Sequence, residues 1–142
     1  MTYNYNLNRF VEAQQSTYQT ALSEIRNGRK RSHWMWFIFP QVAGLGFSET
    51  SQFYAIKTID EAKAYLHHPI LGKRLAEISE ALLTIAGKTA NQVFGSPDDL
   101  KLKSSMTLFA AVSDENPVFR KILEKYFDGQ QDAKTLQLLE NN

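Results

Sequence analysis

Cysteine is absent from this chain of 142 residues, which excludes disulfide staples, thiolate metal ligands and thiol nucleophiles. A dominant charge is missing as well. Sixteen Lys and Arg stand against 15 Asp and Glu, a formal charge of +1, too small for the broad basic surface that grips nucleic acid. No apolar run approaches the ~20 residues of a membrane span. The opening Met1-Thr2-Tyr3-Asn4-Tyr5-Asn6 has neither a charged n-region nor an apolar h-region, so no signal peptide is expected. What remains, 43% hydrophobic and 22% charged, is the composition of an ordinary globular protein long enough to bury a core. The expectation is one domain over 1–142, soluble and cytoplasmic, with neither a nucleic-acid nor a membrane partner.

Helical signals follow one another along the chain. From residue 8 to 27, Phe10, Val11, Gln14, Tyr18, Ala21, Leu22 and Ile25 recur at helical spacing, and Gly28 stands where a C′ glycine belongs. Thr58 and Glu61 form a capping-box pattern ahead of a helix over 59–67. Pro69 suits a first helical position, and Leu71, Leu75, Ile78, Leu82 and Ile85 make one stripe over 70–86. Ser96-Pro97-Asp98-Asp99 reads as an N-cap, an N1 proline and two dipole-favoured acids opening a helix over 97–112. Asn116-Pro117 repeats the device for 117–127, and 133–140 reads as a short terminal helix. Met106, Phe109, Phe119, Ile122 and Leu123 belong with the stripe in the core. The fold class predicted is a compact, irregular, all-α bundle.

The densest segment is Ser32-His33-Trp34-Met35-Trp36-Phe37-Ile38-Phe39-Pro40-Gln41, followed by Gly44-Leu45-Gly46-Phe47-Ser48-Glu49; it holds both tryptophans. As a strand it needs a partner, and no other stretch shows β-branched alternation. A short buried helix, opened by Ser32 and ended by Pro40, is the reading that needs no partner. Polar ends and glycines flank its aromatic block, so Trp34 and Trp36 are not both expected to be enclosed. At least one should edge a cavity shared with His33, Gly44, Gly46 or Ser48.

Candidate chemistry is sparse. Arg31 adjoins the aromatic block and could meet phosphate; Arg26 and Arg29 suit a helix C-terminus. His33 is either a ligand contact or a capping or core histidine. Gly44 and Gly46 make a turn whose N–H groups could face an anion before a helix capped by Ser48, with Glu49 in its first turn. The pair matches neither a P-loop nor a dinucleotide fingerprint, and no cofactor is expected. His67 and His68 point in different directions on a helix, so no metal is expected. Lys103 and Ser105 lie on a helix apolar around much of its circumference, where polar groups need partners or a cavity.

The segments HWMWFIFPQ (33–41), GLGFSET (44–50), AYLHHPILGKRL (64–75), FGSPDDLKLKSSMTLF (94–109) and FDGQQDAKTLQLL (127–139) together resemble an uncharacterised bacterial family, a domain of unknown function. Some of its members carry the label calpastatin, an inhibitor that is a disordered repeat chain, unlike this repeat-free composition. The resemblance implies a compact helical domain and no particular activity. Ser48-Glu49 with Phe53-Tyr54-Ala55-Ile56-Lys57 also resembles a segment of the NADAR proteins, which act on N-glycosidic bonds in ADP-ribose-type compounds. Thr50 stands where that family has a histidine, and its glycine-rich C-terminal motif has no counterpart here.

The expectation is therefore a pocket beside 32–49 for a phosphate-bearing, nucleotide-like small molecule. Arg31, Lys57 and Arg74 would hold phosphate, Trp34 or Trp36 would stack on a ring, and Ser32, His33, Gln41, Gly44, Gly46, Ser48, Lys103 and Ser105 would complete the lining. The alternatives are an N-glycosidase with Glu49 as its carboxylate, and a protein-interaction or purely structural domain.

Overall fold

Phe10 is the first large side chain to be fully buried, and the amphipathic spacing behind it carries two helices, not one. A computed structural model describes residues 5–113 and 115–140; Met1 to Asn4, part of the stretch read for a leader, lie outside them. α1 (Asn8–Gln15) and α2 (Tyr18–Arg26) replace the single helix expected over 8–27. The break falls at Ser16-Thr17, where Thr17 has φ −119°. Gln14, next to last in α1, is fully buried, donating to the Phe37 carbonyl at 2.7 Å and the Tyr65 hydroxyl at 3.0 Å. Gly28 follows α2 at φ 78°.

The aromatic segment is a short helix, α3 (Met35–Ile38). Its N-cap is Trp34, with no side-chain cap, because the Ser32 hydroxyl is engaged elsewhere. α4 (Glu49–Phe53) is capped by Ser48, which accepts the Ser51 N–H at 3.1 Å. α5 (Ile59–His67) is capped by Thr58, but Glu61 reaches one residue further back than a capping box requires and accepts the Lys57 N–H at 2.9 Å. α6 (Leu71–Leu83) begins two residues after Pro69, which is not its first helical residue. His68 caps it instead, its Nδ1 accepting from the N–H groups of Ile70 and Leu71 at 3.1 and 3.3 Å.

α7 (Ala90–Phe94) lacks the length for a periodic signal, yet Thr89 and Gln92 close a full capping box. α8 (Asp98–Val112) is entered from a cis Ser96-Pro97 bond with Pro97 at the N-cap, so neither Ser96 nor Pro97 holds the position expected of it. α9 (Val118–Phe127) starts where the Asn116 side chain accepts the Val118 N–H, and α10 (Ala133–Glu140) closes the chain.

α8 is buried around most of its surface and packs against α5, α7, α9 and α10. Leu71, Leu75, Ile78, Leu82, Met106, Phe109, Phe119, Ile122 and Leu123 all lie in the one core cluster, as expected. The fold is a compact all-α bundle. Among the described residues its extended pairing is confined to one parallel bridge, Val42 with Ile56, and no helix is long and apolar enough to cross a membrane.

Candidate functional site

Glu24 anchors the aromatic segment from behind. Its Oε1 accepts the backbone N–H groups of Arg31 and Ser32 at 2.8 and 3.0 Å and the Trp34 indole N–H at 2.9 Å. Its Oε2 accepts the Ser32 hydroxyl at 2.6 Å. Burial pushes this carboxyl up, but the hydrogen bonds outweigh it and hold the group below its ordinary value. Trp34 is fully enclosed with its N–H satisfied, and the Ser32 side chain faces the same carboxylate. Asp98, in the first turn of α8, then holds one cation against each indole. Lys30 lies 2.9 Å from Asp98 and 5.0 Å from the Trp34 ring centre; Lys101 lies 3.6 Å from Asp98 and 5.3 Å from the Trp36 ring centre.

Trp36, half-buried, edges a cavity of about 230 Å³. The 42–46 turn and Gln41 form one wall; Ser51 and Gln52 of α4, then Tyr54, Ala55 and Lys57, form the other. The two walls are tied by the parallel bridge, with Ile56 N–H on the Gln41 carbonyl at 2.9 Å and Ala43 N–H on the Ile56 carbonyl at 2.8 Å.

A second tie comes from Arg9. Its guanidinium is buried and donates to the carbonyls of Phe53 and Ala55 at 2.8 and 3.0 Å, to Tyr5 and Asn6 carbonyls, and to Glu61 at 2.8 Å. Because Glu61 also takes the Lys57 N–H, one buried ion pair sets the backbone of the whole 53–57 wall. The glycines of the opposite wall answer to close neighbours. Gly44 has φ 106° and a Cβ there would sit 3.1 Å from Leu138; a Cβ on Gly46 would sit 2.6 Å from that of Ser51.

Several hydrogen-bond donors around this cavity are unengaged. Among the described residues the N–H groups of Gly44, Leu45 and Gly46 donate to nothing, the Trp36 indole N–H and the Gln41 amide have no hydrogen-bond partner, and Lys57 forms no ion pair. Among the described residues no carboxylate lines the cavity. The arrangement offers two aromatic rings, a fringe of N–H donors and one ammonium group. It suits a flat ring carrying an anion.

The sequence-derived candidates divide accordingly. Trp36, Gln41, Gly44, Gly46 and Lys57 converge on the cavity. Trp34 and Ser32 stand behind it on Glu24, while Arg31 and His33 are exposed outside its lining. Ser48 caps α4 and Glu49 is exposed in the first turn of that helix, also outside the lining. Arg74 lies on α6, its guanidinium 5.2 Å from the Tyr18 ring centre; Lys103 is half-buried on α8, and Ser105 is fully buried there with an unpartnered hydroxyl. Ser51, Gln52 and Tyr54 went unmarked as site residues. Only their nearness to Lys57 in the chain hinted at a shared wall.

Comparison with known proteins agrees with this architecture. The chain superposes on the crystal structure of the conserved hypothetical protein Rv1873 from Mycobacterium tuberculosis with a TM-score of 0.95. The two are 47% identical over 97% of this chain and 99% of that one. No curated protein matches. The helical domain, its aromatic signature and the match of residues 4–139 to a family model described as "Protein of unknown function (DUF1810)" together place the chain: it belongs to the DUF1810 family.

Proposed function

We propose that this chain binds a small, phosphate-bearing, nucleotide-like ligand in the cavity between Trp36 and Lys57. The observation that carries the reading is the lining itself: unengaged N–H donors, two aromatic rings and, among the described residues, one cation free of ion pairs and no carboxylate. A volume of about 230 Å³ lies under the roughly 300–1,000 Å³ of drug-sized sites, so it admits one ring system and its nearest anionic group. The ring stacks on Trp36 or Tyr54, and Lys57 meets the anion. Binding is favoured over N-glycoside hydrolysis because Glu49, the carboxylate that hydrolysis would call on, stands exposed and outside the lining.

Isothermal titration with adenosine, adenosine 5′-monophosphate and inorganic phosphate tests this. The monophosphate should bind more tightly than either fragment. At 100 times its Kd it should add about 2.7 kcal/mol, a rise of roughly 5–10 °C in Tm. Lys57→Gln should weaken the monophosphate about tenfold or more, the worth of one charge-assisted hydrogen bond, while leaving adenosine nearly unchanged. No binding of the monophosphate or of other nucleoside monophosphates, or binding indifferent to Lys57, would overturn the proposal.

A further inference from the structure

A second hollow of about 230 Å³ adjoins the first across a ridge of Gln41, Leu45, Gly46 and Ser51, which line both. Its far side is built by α8 and α10 and carries two lysines, Lys101 and Lys134. Helix electrostatics do not account for Lys134, and account for Lys101 only through its i,i+3 carboxylate, Asp98. Lys134 is exposed in the first turn of α10, and Lys101 is the fourth residue of α8, both near the positive end of a helix dipole, where cations are disfavoured. Neither is held by a close ion pair, although Lys101 also lies 5.3 Å from the Trp36 ring centre. Lys134 forms no ion pair among the described residues, and Lys101 approaches Asp98 only at 3.6 Å while Lys30 holds the other Asp98 oxygen at 2.9 Å. The carboxylate that lines this hollow, Asp132, is turned to its own helix and accepts the Thr135 N–H at 2.9 Å and hydroxyl at 2.6 Å.

We infer that the ligand extends across this ridge: its class is an aromatic-ring diphosphate, the ring and first anion in the Trp36 cavity and the second anion in the hollow of Lys101 and Lys134. The inference rests on the reading of the first cavity as an aromatic-anion site. Each hollow alone is smaller than the usual small-molecule site of roughly 300–1,000 Å³, and the two joined fall within that range. Two lysines against one carboxylate leave the lining of the second hollow with an excess of positive charge for a second anion to meet.

Calorimetric titration of adenosine 5′-monophosphate and 5′-diphosphate, in metal-free buffer, separates the two claims. In the wild-type chain the diphosphate should bind about tenfold or more tightly than the monophosphate. That advantage, measured within each variant, should shrink in Lys101→Gln and in Lys134→Gln and vanish in the double variant. Lys134 is exposed and apart from Trp36, so its variant keeps the test valid if Lys101→Gln disturbs the indole. A diphosphate no tighter than the monophosphate, or an advantage that survives the double variant, overturns the extension alone. Failure of the monophosphate to bind overturns the cavity reading and the extension with it.

Discussion

Replacing Glu24 by alanine removes the acceptor for four donors at once, and the structure allows the cost to be apportioned. Three of the donors, the N–H groups of Arg31 and Ser32 and the Ser32 hydroxyl, belong to half-buried or exposed residues and can turn to water. The fourth, the Trp34 indole N–H, belongs to a fully enclosed side chain and cannot. An orphaned buried donor costs about 1–3 kcal/mol, and the lost charge-assisted bonds at the rim add about another 1 kcal/mol. Glu24→Ala should therefore destabilise by roughly 2–4 kcal/mol in urea unfolding. Glu24→Gln keeps an acceptor oxygen and should cost clearly less. The decisive control is Trp34→Phe. With no indole N–H left to orphan, Glu24→Ala in that background should cost about 1–2 kcal/mol less, the coupling a double-mutant cycle reads. The pH dependence has a definite sign. A carboxyl held below its ordinary value contributes stability above the ordinary glutamate pKa of about 4.3 and loses it as pH falls towards the lower folded value. The wild type should thus lose more stability than Glu24→Gln below about pH 4.3. A Glu24→Ala cost within about 0.5 kcal/mol, or no coupling to Trp34, would refute the assignment of Glu24 as the anchor.

Three further outcomes follow from the packing. Glu61→Leu should cost about 3–5 kcal/mol, because it strands the buried Arg9 guanidinium; equilibrium unfolding reads this, and a loss under 1 kcal/mol would contradict a buried pair. Gly72→Ala should be among the most damaging single substitutions, since its Cβ would fall 2.0 Å from the Leu66 carbonyl oxygen, main chain that cannot swing aside; soluble yield and Tm check it, and a near-wild-type Tm would contradict it. Burial raises the hydroxyl pKa of Tyr18 and Tyr65, with the Tyr18–Glu77 hydrogen bond adding to the rise, so stability should fall as pH climbs past the ordinary tyrosine value of about 10. Ultraviolet titration should show these two ionising only on unfolding, and early ionisation of all six tyrosines would contradict the burial.

Long periodic stripes were legible from residue order alone, because a helix that buries Leu71, Leu75, Ile78 and Leu82 must space them so. The break at Ser16-Thr17 was not, since the apolar spacing continues through it and the turn is fixed by the distant partners of Gln14. α7 escaped notice through shortness, although Thr89 and Gln92 spell a capping box on inspection. The convergence of Trp36, Gly44, Gly46 and Lys57 follows a pattern the chain displays, an aromatic block, a glycine turn and a nearby cation. What divides Trp34 from Trp36 is a glutamate ten residues upstream of Trp34 on the polar side of α2, and no local spacing marks Glu24 as an acceptor for the indole. The same holds for Arg9, whose partners in the 53–61 stretch lie 44 to 52 residues away along the chain.

The two tryptophans make the central claim directly readable, because each supplies one indole N–H resonance in a nitrogen–proton correlation spectrum. Titration with adenosine 5′-monophosphate should move the Trp36 resonance progressively to saturation, while the Trp34 resonance, enclosed and bonded to Glu24, stays nearly fixed. The same titration of Lys57→Gln should need about tenfold or more nucleotide to produce the same movement. A Trp36 resonance that does not move at millimolar nucleotide, or that moves no more than Trp34, would contradict a ligand site between Trp36 and Lys57.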